Sequence, residues 1–535
     1  MKLCVFLHLL EAAAFAATIV ATAVSPAAAE KPGGELHIAH RDSPASMSIL
    51  EEVTVSAVAP MMAVFNNLVV YDQHVPQNSL GSIVPDLATS WSWSDDGKAL
   101  TFRLREGVRW HDGKPFTAAD VQCTWDSVLG KSANRFRINP RRAWYWNLDQ
   151  VAIRGEYEVV FHLNRPQPAF ITLLASGYSP VYPCHVPLQN MRQHPIGTGP
   201  FKFASYKPNE SIKLVRNPDY WKPGRPYLDA IEWTIIPNRS TALLAFAAGK
   251  LDMTFPYEVT VPLLRDLKAQ APQAICEVRS RNVASTVIIN RDAPPFDQPD
   301  LRRAMALALD RKSFVDVLSE GTADTGGAML PPPDGLWGMP VEMLARLPGY
   351  DPDIRRNRDE ARSIMQRLGY GPDKPLPIKV TSRNIPLYRD PAVMLIDQLK
   401  EIWINGELDL VETANWNPKI TRRDYMVGLE NTGSAVDDPD QQFFENYACD
   451  SDRNFTGYCN RELEKLYLQQ SAETDADKRR RLVWEIDRKL QEDVARPILF
   501  HTRGATCWQP SVKGLTTMVN SIYNGWRFED TWLDR

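Results

Sequence analysis

Beyond its first 29 residues this sequence has no long apolar run, so no later segment offers the roughly 20 consecutive apolar residues that a membrane-spanning helix requires. A surplus of basic charge is also missing: 61 Lys and Arg stand against 65 Asp and Glu, a formal net charge of −4. Nucleic acid would call for a basic excess, so no nucleic-acid partner is expected. Glycine is scarce, 28 residues against 41 prolines, which points to a loop-rich chain with many rigid turns. Catalytic signatures are lacking too. There is no HExxH pair of zinc ligands and no GxSxG nucleophile elbow. Gly197-Thr198-Gly199-Pro200 begins like a dinucleotide fingerprint, but Lys202 stands where the third glycine belongs. No Gly-Lys pair has the upstream glycine that a phosphate loop needs. These absences predict a protein that is not an enzyme and carries no cofactor.

What is present begins with a secretory leader. Lys2 supplies the positive start, residues 12–24 the apolar stretch, and Ala27-Ala28-Ala29 the small-residue cleavage pattern. The predicted cut follows Ala29, giving a periplasmic mature chain. Its length exceeds what one hydrophobic core serves, so two or three domains are expected. Six cysteines remain after the cut: Cys123, Cys184, Cys276, Cys449, Cys459 and Cys507. In an oxidising compartment some should pair. Cys449 and Cys459 bracket a short polar loop and form the expected bridge, while the pairing of the other four stays open.

Mixed elements follow. Alternation at Leu100, Phe102 and Leu104, at Val159, Phe161 and Leu163, and at Ile231, Trp233 and Ile235 predicts half-buried strands. Thr117 with Asp120 three residues on is a capping box for a helix over 118–129. Asp390-Pro391 reads as the start of a helix running to Trp403, and Gly369 as the stop of one beginning near Asn357. Strands and helices interleave with no repeat period, an α/β pattern. His37 and His40 could suggest a metal, but a spacing of three puts them on opposite faces of a strand, so no metal site is expected.

Several blocks then resemble one family, the extracytoplasmic solute-binding proteins of family 5, which serve ABC importers of peptides, nickel and similar solutes. The first block holds Ile83-Val84-Pro85-Asp86-Leu87-Ala88, Asp95-Asp96-Gly97, Trp110-His111-Asp112-Gly113 and Pro115-Phe116-Thr117-Ala118-Ala119-Asp120-Val121. Pro195-Ile196-Gly197-Thr198-Gly199-Pro200-Phe201 and Asn217-Pro218-Asp219-Tyr220-Trp221 form the second, residues 245–252 the third. The fourth holds Pro294-Pro295-Phe296-Asp297 and Ala308-Leu309-Asp310-Arg311. The resemblance implies a two-lobed clamshell of the periplasmic-binding-protein type (type II, cluster C) with an extra inserted domain. Lobe I would comprise residues 30–65, 197–289 and 497–535, the inserted domain 66–196, and lobe II 290–496. It further implies a monomer that captures a small peptide or peptide-like solute and delivers it to an inner-membrane permease. A sugar, an opine or a metal complex is the alternative cargo, and a periplasmic hydrolase the other class. The ligand-binding residues expected are Met47, Ser48, Asn66, Trp416, Asn431, Thr432 and Asp437. In peptide-binding members an Asp three residues before the Asp438-Pro439-Asp440 run holds the peptide amine. Ala435 occupies that place here, and Asp437 is the expected substitute. Secretion of the full chain should yield a mature N-terminus at Glu30, which intact-mass measurement reads directly.

Overall fold

The computed structural model describes residues 30–535, so the expected leader lies outside it. Four strands make the first sheet: β1 (Glu35–His40), β6 (Phe201–Lys207), β7 (Ser211–Arg216) and β8 (Ala230–Ile235), in the order β1-β8-β7-β6 with β1 and β8 parallel. A second four-stranded sheet lies between β1 and β6 in the chain: β2 (Ala88–Trp93), β3 (Ala99–Leu104), β4 (Leu148–Ile153) and β5 (Glu158–Leu163), ordered β2-β3-β5-β4 and antiparallel throughout. Leu100, Phe102, Val159 and Phe161 turn inward here as their alternation requires, and helix Ala118–Leu129 covers them through Val121 and Trp125. That helix starts where the sequence puts it, with Asp120 Oδ2 accepting the Thr117 N–H at 3.0 Å. Residues of both sheets belong to one continuous apolar core, with Ile38, Leu214 and Trp233 at one end and Phe102 and Trp125 at the other. Each such fully buried side chain contributes about 1.5–3 kcal/mol.

Gly197 and Gly199 show why that motif takes no larger residue. A Cβ at Gly197 would meet the Val64 carbonyl oxygen at 1.9 Å, and one at Gly199 the Val64 carbonyl carbon at 2.5 Å. The two glycines let the chain press against the segment after helix Val55–Met61 as it enters β6. Their backbone serves packing.

The third large sheet contains β9 (Ile275–Ile289), β10 (Leu376–Arg383), β11 (Ile404–Val411), β12 (Val427–Gly433) and β13 (Ile498–Trp508), ordered β11-β10-β12-β9-β13. β10 is parallel to β11 and β12, while β9 is antiparallel to both β12 and β13. Strands β9 and β13 pass between two cores. Their Val278, Ala505 and Cys507 pack with Phe246, Leu251 and Val259. Their Val287, Ile289, Leu499 and Phe500 pack with helices Pro299–Ala308, Ile354–Arg367 and Pro386–Lys400. Between the two, the β9–β13 register shifts across Ser280–Ala284, and Asn282 takes φ +49°. This is a bulge at the crossing.

Two helix starts differ from expectation. The helix expected to begin at Asp390 begins at Pro386, because Ile385 is extended and its carbonyl accepts the Tyr388 and Arg389 N–H groups. Pro386 takes the first turn, where its missing donor is harmless, and Pro391 lies inside. The helix expected near Asn357 starts at Ile354, since Asp353 caps it by accepting the Arg356 N–H at 3.1 Å. Its end is as read, with Gly369 at φ +85° just beyond. Among the described residues no helix is long and apolar enough to cross a membrane.

Three disulfides close the structure: Cys449–Cys459, Cys123–Cys184 and Cys276–Cys507. The first is the bridge expected from sequence, and the other two resolve the pairing left open. Thiol titration of the denatured, unreduced mature chain should find no free thiol, and six after reduction. A Cys449→Ser/Cys459→Ser double variant should lose about 2–4 kcal/mol, read from the shift of a urea midpoint.

Candidate ligand-binding site

The bulge in β9 carries Arg281 and Asn282 at the crossing between the two cores. Arg281 reaches Glu258, which also accepts from Arg41, in the loop after β1, at 2.8 Å and from Arg239 at 3.0 Å; the Arg281 contact is 3.4 Å. Burial by itself would raise the Glu258 carboxyl, but Arg41, Arg281 and Arg239 outweigh it and hold it at about 2. Burial pulls Arg281 the other way, lowering its proton affinity, with Glu258 opposing.

A second wall faces this one. Glu430 on β12 accepts the Trp416 indole N–H at 2.6 Å, and burial raises its carboxyl against the pull of Arg383. Arg453 pairs with Glu445 at 3.0 Å. Arg383 donates to the Tyr388 hydroxyl at 2.9 Å. Two phenols lie where the walls meet. Tyr523 is raised by burial and lowered by the charges of Arg41, Arg453 and Arg281 together. Tyr388 is raised by burial and by Glu430, and lowered by Arg383 and by Arg41 from across the gap. Arg41 and Arg453 keep 31% and 32% of their side chains accessible while surrounded by protein, as groups facing an internal cleft do. The segment 66–196 reaches the second wall as well: Trp144 donates to Glu445 at 3.0 Å, Gln167 to Asp440 at 2.8 Å, and Trp146 lies 4.5 Å from Phe444, ring to ring.

The expected residues are distributed unevenly about this cleft. Trp416, Asn431 and Thr432 belong to its second side; Trp416 is buried against Ile288, Ile420, Tyr425 and Phe455, the Asn431 amide bonds the Tyr388 hydroxyl, and Thr432 Oγ1 accepts from Arg496 at 3.0 Å. Met47 and Ser48 are fully buried in the first core, Ser48 within 3.2 Å of the Tyr182 hydroxyl. Asn66 is bound up with Asp86 and Thr198 at 2.8 and 3.1 Å. Asp437 accepts the Leu336 N–H at 2.8 Å and the Asn520 amide at 3.1 Å, beside the Asp438–Arg479 pair. Ala435 is also buried; its carbonyl accepts from Ser521 and Asn524, anchoring the segment that presents Tyr523. Of the two histidines, His40 is buried against the Ser56 carbonyl, while His37 lies at the surface beside Glu35 and Glu232. Glu35 already pairs with Lys213 at 2.9 Å.

Sequence reasoning missed Arg41, Glu258, Arg281, Tyr388 and Tyr523. One signal was available. Arg279-Ser280-Arg281-Asn282 puts charge and amide in the middle of a strand flanked by Val278 and Val283, a break in apolar alternation that suits a bulge or a site. Chemically the walls offer guanidinium, phenol and indole donors, and their carboxylates are taken by guanidiniums or the indole. That is equipment for holding oxygen-rich or charged groups rather than for proton transfer.

The chain is similar to known proteins over most of its length. The sequence profile of the family described as "Bacterial extracellular solute-binding proteins, family 5 Middle" matches residues 82–454. The di/tripeptide-binding protein 1 of Pseudomonas aeruginosa is 27% identical over 460 residues, covering 81% of this chain and 82% of that protein. In fold, the chain is similar to a periplasmic binding protein of Helicobacter pylori, DppA, solved with the peptide STSA (TM-score 0.81, 21% identity, 94% of this chain and 99% of that one). It is similar also to AgaA of A. tumefaciens R10, solved with agropinic acid (TM-score 0.80, 22% identity, 94% and 99%).

Burial pushes the Asp437 carboxyl up to about 7. A folded-state value above the unfolded one means that its contribution to stability is complete below about pH 4 and is lost as pH rises toward 7. Asp437→Asn should therefore match the parent near pH 4 and exceed it by up to about 4 kcal/mol at pH 7, measured by denaturant titration across that range.

Proposed function

This chain belongs to the bacterial extracellular solute-binding proteins of family 5, and on that premise we propose that it is the periplasmic receptor of an ABC importer for a small peptide or peptide-like solute. The observation that supports this most is the meeting of two walls at the β9 bulge: Arg41 and Arg281 converge on Glu258 on one side, and β12, paired with β9 up to Val283–Gly433, carries Glu430 and Asn431 on the other. A solute there touches both walls, so it stabilises the shut form in proportion to the contacts it adds. Enclosure removes water and strengthens each pairing with a fixed charge. The shut form then docks on a membrane permease, with the receptor acting as a monomer. Relatives named for di- and tripeptides support the cargo class.

We assign direct ligand contact to Asn431; Trp416 stands behind it, packed against Ile288, Ile420, Tyr425 and Phe455. Thr432 and Asp437 position the wall from behind, and Met47, Ser48 and Asn66 hold the first core on which the opposite wall stands. A second reading, a non-peptide solute, is favoured by Ala435, which offers no carboxylate to a peptide amine; the fold neighbour AgaA is one that holds such a solute.

Titration calorimetry with a panel of di- and tripeptides and opines should give heat for at least one class, and small-angle scattering should show a smaller envelope on saturation. Identical envelopes with and without a bound solute would overturn the receptor reading. Asn431→Ala should weaken the solute that binds by about 5-fold, the loss of one hydrogen bond.

A further inference from the structure

The cluster about Glu258 holds more positive charge than its own carboxylates neutralise. Arg41, Arg239 and Arg281 face Glu258, and the other carboxylate nearby is Asp42, 3.8 Å from Arg41 and 55% exposed. Arg281 is the least compensated. Its side chain is 8% exposed, and its carboxylate contact is the longest of the three, to a group already engaged by two closer guanidiniums. Its Nε is buried with no hydrogen-bond partner, and so is the Nδ2 of the adjoining Asn282. A guanidinium cannot escape by shedding its proton, so a buried one short of acceptors needs them from elsewhere.

The opposite side is closer to balance: Arg453 keeps 32% of its side chain accessible while paired with Glu445 at 3.0 Å, and Glu430 is a buried carboxylate held by the Trp416 indole. At the bulge, then, the unmet needs are those of hydrogen-bond donors and of positive charge. The bulge is what sets them there: with φ +49° at Asn282, Arg281 and Asn282 have no partner on β13, and in strand pairing Asn282 keeps only a carbonyl bond from the Ser434 N–H at 3.0 Å.

We propose that the solute is an organic anion with at least two carboxylates, one of them seated against Arg281, Asn282 and Arg41, and that a free amine is not required for its capture. This rests on the receptor reading and narrows its cargo. The shared chemistry is the dicarboxylate; an acidic peptide and a non-peptide diacid are its two sources. A carboxylate at the bulge supplies acceptors to the Arg281 Nε and the Asn282 amide at once, and a second one reaches the Arg453 side only when the walls approach. Charge recognition and closure are thereby the same event.

The test measures affinity of the full mature chain for four probes: Glu-Glu, N-acetyl-Glu-Glu, Ala-Ala and Lys-Lys. N-acetyl-Glu-Glu should bind within about threefold of Glu-Glu, both at least about 30-fold tighter than Ala-Ala, with Lys-Lys weakest, and raising salt should weaken the acidic pair. Citrate competing with N-acetyl-Glu-Glu would point to a non-peptide diacid as the source, and failure to compete to an acidic peptide. Arg281→Gln should cut affinity for N-acetyl-Glu-Glu about 30-fold or more, the usual effect of removing one member of a desolvated charge pair. Arg41→Gln, away from the crossing strand, should do the same in kind and guards against a folding defect in the first variant. Ala-Ala or Lys-Lys binding as tightly as the acidic probes, or neither acidic probe binding, overturns the proposal. If the neutral or basic peptide still compacts the envelope, the receptor reading survives that failure.

Discussion

Everything in this molecule hangs on the antiparallel pair β9 and β13, which carries the chain from one apolar core to the other. A strand pair transmits register along its length, so side chains of both cores are fixed relative to the same ladder. The shift across Ser280–Ala284 interrupts that ladder where the cores part. It frees two residues from pairing and aims one of them, Arg281, at Glu258. The site therefore exists because the ladder is broken there, and the break is bearable because both flanks are long and well packed.

Holding three guanidiniums on one carboxylate is a poor way to stabilise a fold. Burying charge without full compensation is destabilising, and well-packed apolar residues would serve stability better. The arrangement makes sense when the missing partner arrives from solution. The same logic distinguishes this cluster from Asp438 and Arg479, which are more deeply buried and meet in a two-pronged pair, both contacts at 2.8 Å. Arg479 also reaches Asp440 at 3.5 Å and Gln470, so its donors are met by acceptors on every side, whereas the Nε of Arg281 in the Glu258 cluster has none.

Much of the scaffold was legible from local patterns. The alternation at Leu100, Phe102 and Leu104, the Thr117–Asp120 box and the Gly369 stop all concern neighbours within a few residues, where backbone geometry decides the outcome. The helix at Pro386 was misplaced because Asp390-Pro391 is as good a start by local rules, and the choice was made by where Ile385 becomes extended. The site was harder. Arg41, Glu258, Arg281, Tyr388 and Tyr523 come from five separate stretches, and each taken singly looks like an ordinary surface or core residue. Asp437 shows the converse: its acidic neighbourhood stood out, yet its partners Leu336 and Asn520 lie in distant loops that no local spacing announces.

The Cys276–Cys507 bond joins β9 to β13 directly across from one another, a few residues before the bulge. The two crossings are thus welded at one end into a single ribbon. Any swing of one body against the other must be taken up by the handful of dihedrals beyond the weld, around residues 280–284, and cannot be shared with the strand below it. With the bond made, the ribbon on the Cys276 side of the bulge behaves as one piece, and Arg281 and Asn282 lie just beyond its end.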